Sequence, residues 1–328
     1  MRPRISVVGI GNAIVDVFAP GDDAFLARMG IERGIMQLIE RDRAEALYAA
    51  MEEPRQVPGG SVANTLAGLA NLGLSTAFIG RVADDALGGF YARAMEEGGG
   101  AFPNAPVPGA ALPTSRSMIF VSADGERSMN TYLGISAELG PEDVAEGVAG
   151  AADLLFLEGY LYDRPAGMAA FARAAELTRR GGGRAGIALS DPFCVERHRP
   201  AFRRLVRDLD YVIGNRHEWE SLYRTDLEGA LAQAAAECPL VVCTRSGDPV
   251  VLIRGSERVE VPVRPVTPVD ATGAGDLFAA GFLYGLARGR DLATAGRMGC
   301  VAAAEVIGHL GARPEADLRA LFRAERLL

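Results

Sequence analysis

Lysine is missing from this 328-residue chain; all 34 basic residues are arginine. That absence removes every chemistry that needs a primary amine side chain: the phosphate-loop lysine, the strand lysine of protein kinases and Schiff-base catalysis. Histidine is scarce. His198, His217 and His309 sit in no triad or metal-ligand spacing, so they are expected on exposed or helix-surface positions, and Ser-His-Asp hydrolysis and His-ligated zinc are disfavoured. Cys194, Cys238, Cys243 and Cys300 form no Cys-x-x-Cys pair and are expected to be buried free thiols. Long apolar runs are lacking too: the longest, Leu277 to Ala287, is too short to span a bilayer. Positive charge does not dominate. A net charge of −8 and an isoelectric point near 5.1 disfavour nucleic acid as a partner, since that affinity rests on basic side chains neutralising phosphates. The chain passes from "MRPR" into the apolar "ISVVGI" without the design of a signal peptide, which gives the expectation of a cytoplasmic protein with no membrane partner.

Apolar residues, by contrast, are plentiful, at 49%. Short β-rich runs alternate with helical patterns. "ISVVGI" (Ile5–Ile10), Thr76–Val82, Asp153–Gly159, Gly186–Ser190, Tyr211–Asn215 and Leu240–Thr244 read as buried strands. Ser61–Leu72, Asp84–Glu97, Pro165–Arg180, Arg216–Tyr223 and Leu227–Glu237 read as helices. This rhythm implies right-handed βαβ units and a mainly parallel sheet covered on both faces. Residues 1–328 are therefore read as one α/β domain. Two segments break the pattern: about 13–39, extended and mixed, and about 114–134, which alternates around an "ADG" turn as a hairpin does. Strands inserted at two places could pair into a small separate sheet, and a cover over the carboxyl ends of the parallel strands is its natural use. "PVVLIRGSERVEVPV" reads as a second hairpin, and Gly98–Pro113 as a surface loop.

Three motifs carry the chemistry. "PVDATGAGDLFAAGFLYGL" (Pro268–Leu286) places a glycine-rich turn before a buried helix. Free amides and the positive end of the helix dipole converge there, with Asp276 in the first turn. That acid could equally be a packing cap or a base beside an anion site. A dinucleotide turn is the third option, but "GIGNAI" (Gly9–Ile14) has Ile14 where the third glycine belongs and no helix after it, which leaves a nicotinamide-dependent dehydrogenase weakly supported. "PGGSVANTLAGLANLG" (Pro58–Gly73) begins a helix of small residues with polar Asn64 one turn in. "YVIGNRHEWESL" places Asn215 and Glu218 three apart, either as an N-cap pair or as an amide and a carboxylate able to hold hydrated Mg²⁺.

In this order the motifs resemble those of the ribokinase-like (PfkB-type) carbohydrate and nucleoside kinases over essentially the whole chain. "PGGSVANTLAGLANLG" is similar to the family's first pattern, "DATGAGDLFAAGFL" to its second, with "NRHE" between. The resemblance implies a three-layer α/β/α sandwich with a small β lid, ATP and Mg²⁺ as co-substrates, and phosphorylation of a hydroxyl. It implies Asp276 as general base, the amides of Gly273, Ala274 and Gly275 as anion hole, Asn215 and Glu218 as the pair organising Mg²⁺, and Thr244 and Gly247 as nucleotide contacts. A kinase without lysine is then reasonable, because amides, Mg²⁺ and arginine can supply alignment and charge. Ala271 departs from the pattern, which usually has Thr there. That leaves the reaction class intact but bears on nucleotide affinity, on a monovalent-cation site near Asp270, and on a rival reading as a non-catalytic nucleoside- or nucleotide-binding relative.

The acceptor is read from the adenosine-kinase-like branch, which "GNAIVD" resembles. Asn12 and Asp16 map to its ribose-holding pair, and a carboxylate suits a vicinal diol because it can accept from two hydroxyls. Asn64 and the amides near Gly59 and Gly60 would hold the same sugar. Ser61 stands where relatives often carry a charge. Tyr160 falls where nucleoside kinases present a ring to the base, and Met36 and Leu38 would form an apolar wall. Arg127, in the turn-proximal part of the lid hairpin, would be an arginine closing on the phosphates. Adenosine is placed ahead of a sugar such as ribose, fructose or a 2-keto-3-deoxy sugar acid. A homodimer through the lid sheet stays open, since the alternation fits both a shared lid and a private one.

Overall fold

Alternating apolar runs too short for helices become the strands of one wide sheet. The computed structural model describes residues 3–328. In it the main sheet is built from β1 (Ile5–Ile10), β5 (Thr76–Ile79), β6 (Gly100–Ala101), β9 (Ala152–Glu158), β10 (Arg184–Ala188), β11 (Tyr211–Asn215), β12 (Val241–Arg245), β13 (Asp248–Arg254) and β14 (Glu257–Val261). Their spatial order is β14-β13-β12-β11-β10-β9-β1-β5-β6. From β12 to β6 all pairings are parallel, and β13 and β14 add an antiparallel hairpin at one edge. Both faces are covered. Val7 on β1 joins one apolar layer, and Val8 and Ile10 join the other. The architecture is the three-layer sandwich the alternation predicts.

One layer is held unusually close by missing side chains. The helix Ser61–Asn71 lies on the helix Ala274–Ala287 with Gly68 at the crossing, where a Cβ would stand 2.7 Å from Ala280 Cβ and 2.8 Å from Leu277 Cδ1. Leu277, Phe282 and Leu283 are fully buried, each stabilising by about 1.5–3 kcal/mol. This crossing brings the N-termini of the two helices together at the carboxyl ends of β1 and β9.

A second sheet, ordered β3-β8-β7-β2-β4, stands over those ends. It comprises β2 (Ile14–Pro20), β3 (Met36–Leu38), β4 (Arg55–Gly59), β7 (Ser115–Val121) and β8 (Arg127–Tyr132). β4 comes from outside the two segments the sequence pattern marks. Its register sets two rows across the inner face: Asp16, Ser117, Thr131, Leu38 and, one step along, Phe18, Ile119, Met129, Met36. Ser117 and Thr131 hydroxyls share a hydrogen bond of 2.8 Å, as same-face neighbours must. Val15, Val17 and Ala19 point outward into the core.

Several boundaries differ from expectation. The segment 13–39 is not all extended: Asp22 caps a short helix, Asp23–Arg28, through its carboxylate. The helix expected at Asp84 begins at Ala86, because Asp85 is spent as N-cap to the Gly88 amide at 2.8 Å. Gly98–Pro113 is not simply a surface loop, for it contributes β6 and buries Phe102. All four cysteines are buried and free. His198 and His309 are part-buried beside Asp163 and Glu305, while His217 is exposed.

Candidate active site

Asp276 lies in the first turn of the helix Ala274–Ala287. Ser61 Oγ donates to its Oδ1 at 2.6 Å and Asn64 Nδ2 to its Oδ2 at 3.0 Å. Thr65 Oγ1 donates to its backbone carbonyl at 3.0 Å. The helix Ser61–Asn71 thus presents three successive polar groups to one acid, a job its packing alanines hide in the sequence. Burial is the main influence on that acid and raises it to about 6, with the Ser61 and Asn64 bonds pulling the other way.

The turn before it is open. Gly273 is the N-cap in the left-handed region, φ 80°, and a Cβ there would meet Ala312 Cα at 2.6 Å. A Cβ on Gly275 would meet nothing within 4 Å. Of the three amides expected in an anion hole, that of Ala274 is already directed at the Ala271 carbonyl, 3.3 Å away. Those of Gly273 and Gly275 have no backbone acceptor among the described residues. Ala271 itself is exposed.

At the acceptor end, Asn12 is buried. Its Nδ2 donates to Glu158 Oε1 at 2.7 Å, and its Oδ1 accepts from Ser136 Oγ at 2.9 Å. Glu158 Oε2 accepts the Val62 amide at 3.3 Å. Burial raises Glu158 to about 7 despite these bonds, and Asp276 adds to the rise. Neither Glu158 nor Ser136 is singled out by sequence pattern; Glu158 merely ends an apolar strand in "LEGYLYD". Asp16 stands over the same spot from the lid. It is likewise raised to about 7 by burial, opposed by Arg313 and Arg127 and assisted by Asp276. Gly59 and Gly60 leave room for it: a side chain on Gly59 would strike the Asp16 carboxylate, and one on Gly60 (φ 98°) the Asn12 carbonyl.

Tyr160 follows β9 in a short 3-10 turn. Its hydroxyl donates to the Ser190 carbonyl at 3.2 Å, and Ser190, itself at φ 74°, accepts the Gly159 amide at 2.9 Å. Met36 and Leu38 lie on the inner lid face with 45% and 54% exposure, half open to water.

The Arg127 side chain is 8% exposed and pairs with Asp270 Oδ2 at 2.6 Å. Its guanidinium stacks over Phe18, and Nε and Nη1 find no partner among the described residues. Asp270 also accepts the amides of Thr272 and Gly311 at 3.0 and 2.9 Å. The positive charge beside Asp270 in the structure is that of Arg127. Asn215 and Glu218 form a full capping box, with Asn215 N and Nδ2 each 2.7 Å from a Glu218 oxygen and Glu218 N 3.0 Å from Asn215 Oδ1. Burial raises Glu218 to about 7, and Asp191 nearby adds to it. Thr244 pairs with Asn215 at the ends of β12 and β11, and Gly247 borders open space. No group of three or more metal-binding side chains occurs among the described residues, and no helix there is long and apolar enough to cross a membrane.

The three-layer sandwich with a small additional sheet over its strand ends is the ribokinase-like α/β fold. The pattern of the pfkB family carbohydrate kinases matches residues 34–318, and the chain belongs to that family. The adenosine kinase of Sinorhizobium meliloti is 45% identical in solved structure, covering 98% of this chain and 99% of its own, with a TM-score of 0.90. A probable sugar kinase of Rhizobium etli is 43% identical over 99% and 100%, at 0.91. Among curated proteins, the ATP-dependent ribose-1-phosphate kinase of Halopiger xanaduensis is 31% identical over 85% of this chain and 90% of its own.

Proposed function

We propose that this kinase-family chain transfers the γ-phosphoryl group of ATP, with Mg²⁺, to the 5′-hydroxyl of adenosine or a related purine nucleoside. The observation that carries the reaction is the Asp276 carboxylate held by Ser61 and Asn64 at an open helix N-terminus. Asp276 receives the hydroxyl proton as the acceptor oxygen attacks; the amides of Gly273 and Gly275 and the unpaired N–H groups of Arg127 meet the transferring charge. Asn215, Thr244 and Gly247 border the nucleotide. Glu218 suits Mg²⁺, being a buried hard-oxygen acid short of positive charge; because Asn215 engages both its oxygens, it would act through water. Mg²⁺ supplies charge neutralisation on the phosphates.

Three features support a neutral nucleoside as acceptor. Asp16, Asn12, Asn64 and the Gly59–Gly60 turn converge where a ribose diol would sit. Phe18, Met129 and Met36, with Leu38 beside them and Tyr160 opposite, offer apolar surface to a base. Asp16, Glu158 and Asp276 share the pocket against two guanidiniums, Arg313 and Arg127, a balance that still leaves more acids than bases and weighs against an anionic acceptor such as a sugar phosphate. A sugar is the second reading, favoured by the half-open Met36–Leu38 wall and by relatives described as sugar kinases.

The test is ADP release from Mg-ATP with adenosine, inosine, ribose, fructose and a 2-keto-3-deoxy sugar acid. Adenosine-dependent turnover is expected. Turnover with a sugar alone would move the assignment to a sugar kinase, and tight nucleoside binding without ADP formation would reduce the chain to a binder.

A further inference from the structure

We infer that Arg313 is a positioning residue that locks the Asn64 amide with its NH₂ toward the Asp276 carboxylate. The inference rests on the reading of Asp276 as base. An asparagine amide has one accepting and one donating end, and nothing within Asn64 decides which faces the acid. Arg313 does: Nε carries only a hydrogen to give, and it points at Asn64 Oδ1, 3.4 Å away. Asn64 Nδ2 then has to face Asp276 Oδ2. A flipped amide would set its oxygen against a carboxylate and its NH₂ against a guanidinium, two repulsions at once.

Arg313 is itself held. Its Nη2 contacts Met95 Sδ at 3.5 Å, and burial lowers its guanidinium while the nearby Asp16 carboxylate opposes that fall. The loop that carries it is tied to the whole catalytic turn. Gly311 N donates to Asp270 Oδ2 at 2.9 Å, Ala312 packs against Gly273, and the amides of Glu315 and Ala316 reach Glu305 Oε1 at 3.0 and 2.9 Å. Three consecutive residues, 311–313, thereby touch the nucleotide-side acid, the turn glycine and the partner of the base. The ionisable groups acting around Asp276 are Asp16 from the lid, Glu158 and Tyr160 from the end of β9, and Arg313 from this loop. Only Arg313 acts on Asp276 through a directed amide.

The experiment is a carboxyl-carbon NMR titration of aspartate-labelled full-length protein, with Asp276→Asn to assign the signal. Arg313→Met is made in the wild type and in an Asn64→Ala background. In the wild type the substitution should move the Asp276 titration upward by about one pH unit, with the acidic limb of kcat following and the KM for ATP unchanged. In the Asn64→Ala background it should move neither, because the amide it works through is gone. An unmoved titration in Arg313→Met, or an undiminished shift in the Asn64→Ala background, would overturn the relay. Arg313→Lys, which loses the directed Nε bond, carries the same cycle if the Met variant does not fold. The NMR readout stands without turnover, so failure of the base reading, seen as near-normal activity in Asp276→Asn, is distinct from failure of the relay.

Discussion

The two ends of the site are built on opposite plans. At the acceptor end, nearly every polar group is already bonded to protein: Asn12 to Glu158 and Ser136, Asn64 to Asp276 and Arg313, Asp276 to Ser61. At the nucleotide end, groups wait: Gly275 and Gly247 border open space, and two N–H groups of a buried arginine lack partners. One end is preorganised to hold a reacting atom in place, which is where misalignment is most costly. The other relies on its ligand to complete it, which suits a co-substrate that brings its own charge and metal.

The sharpest way to break this contrast is at its boundary. Asp276→Asn keeps the shape of the preorganised end and removes only the base, so kcat should fall roughly 10²–10⁴-fold with little change in thermal unfolding. A variant that turned over at a near-normal rate would show that alignment alone suffices. The pH dependence has the same origin. Asp276 must be ionised to act, and burial raises it to about 6, so kcat should decline as pH falls through that value.

A smaller effect is expected at the waiting end. Arg127→Ala removes the unpaired donors and the Asp270 ion pair together. Hydrogen bonds from a charged group are worth about 1.5–3 kcal/mol, so the KM for ATP should rise by at least about 10-fold while the KM for the acceptor stays near its wild-type value. Equal rises in both would mean that Arg127 holds the lid shut over everything instead of meeting the phosphates.

The sequence made the two ends legible to different degrees. Repeating patterns carried the sandwich: strand runs and helix periods are local, and most of the predicted helices lie within two residues of their places. Residues in glycine-rich motifs were legible for the same reason; Asp276, Asn64 and the Asn215–Glu218 pair stand inside recognisable spacings. What stayed hidden acts across the fold. Glu158 lies 146 positions from Asn12 and Arg313 249 from Asn64, and neither has a local pattern to betray it. Ser61 stands out in the sequence only as a missing charge, whereas in the fold it donates to the Asp276 carboxylate. The pairing of Arg127 with Asp270 is hidden for the same reason, because a hairpin sequence cannot reveal that an acid from another element will bury it.

The smallest expected effect concerns the cost of preorganisation. Asp16 is the one carboxylate of the acceptor end with no hydrogen bond to protein among the described residues, and burial raises it to about 7 against an ordinary value of 3.8. An acid with a folded pKa above its unfolded one binds its proton more tightly in the native state, so its contribution to stability is greatest at low pH and is lost as pH rises from about 4 to about 7. Glu158 and Glu218, also raised to about 7, work in the same direction. The ligand-free protein should therefore melt at a lower temperature at pH 8 than at pH 5.5. Asp16→Asn removes one of these charges without changing shape, so it should raise the melting temperature by a few degrees at pH 8 and by less at pH 5.5, at roughly 2–4 °C per kcal/mol or somewhat under for a chain of this size. It should also raise the acceptor KM, since the carboxylate that destabilises the empty protein is the one placed to accept from a diol. A variant that gained no stability at pH 8 would mean that Asp16 is already satisfied in the empty site, and the acceptor end would then owe its readiness to solvent instead of to the acceptor.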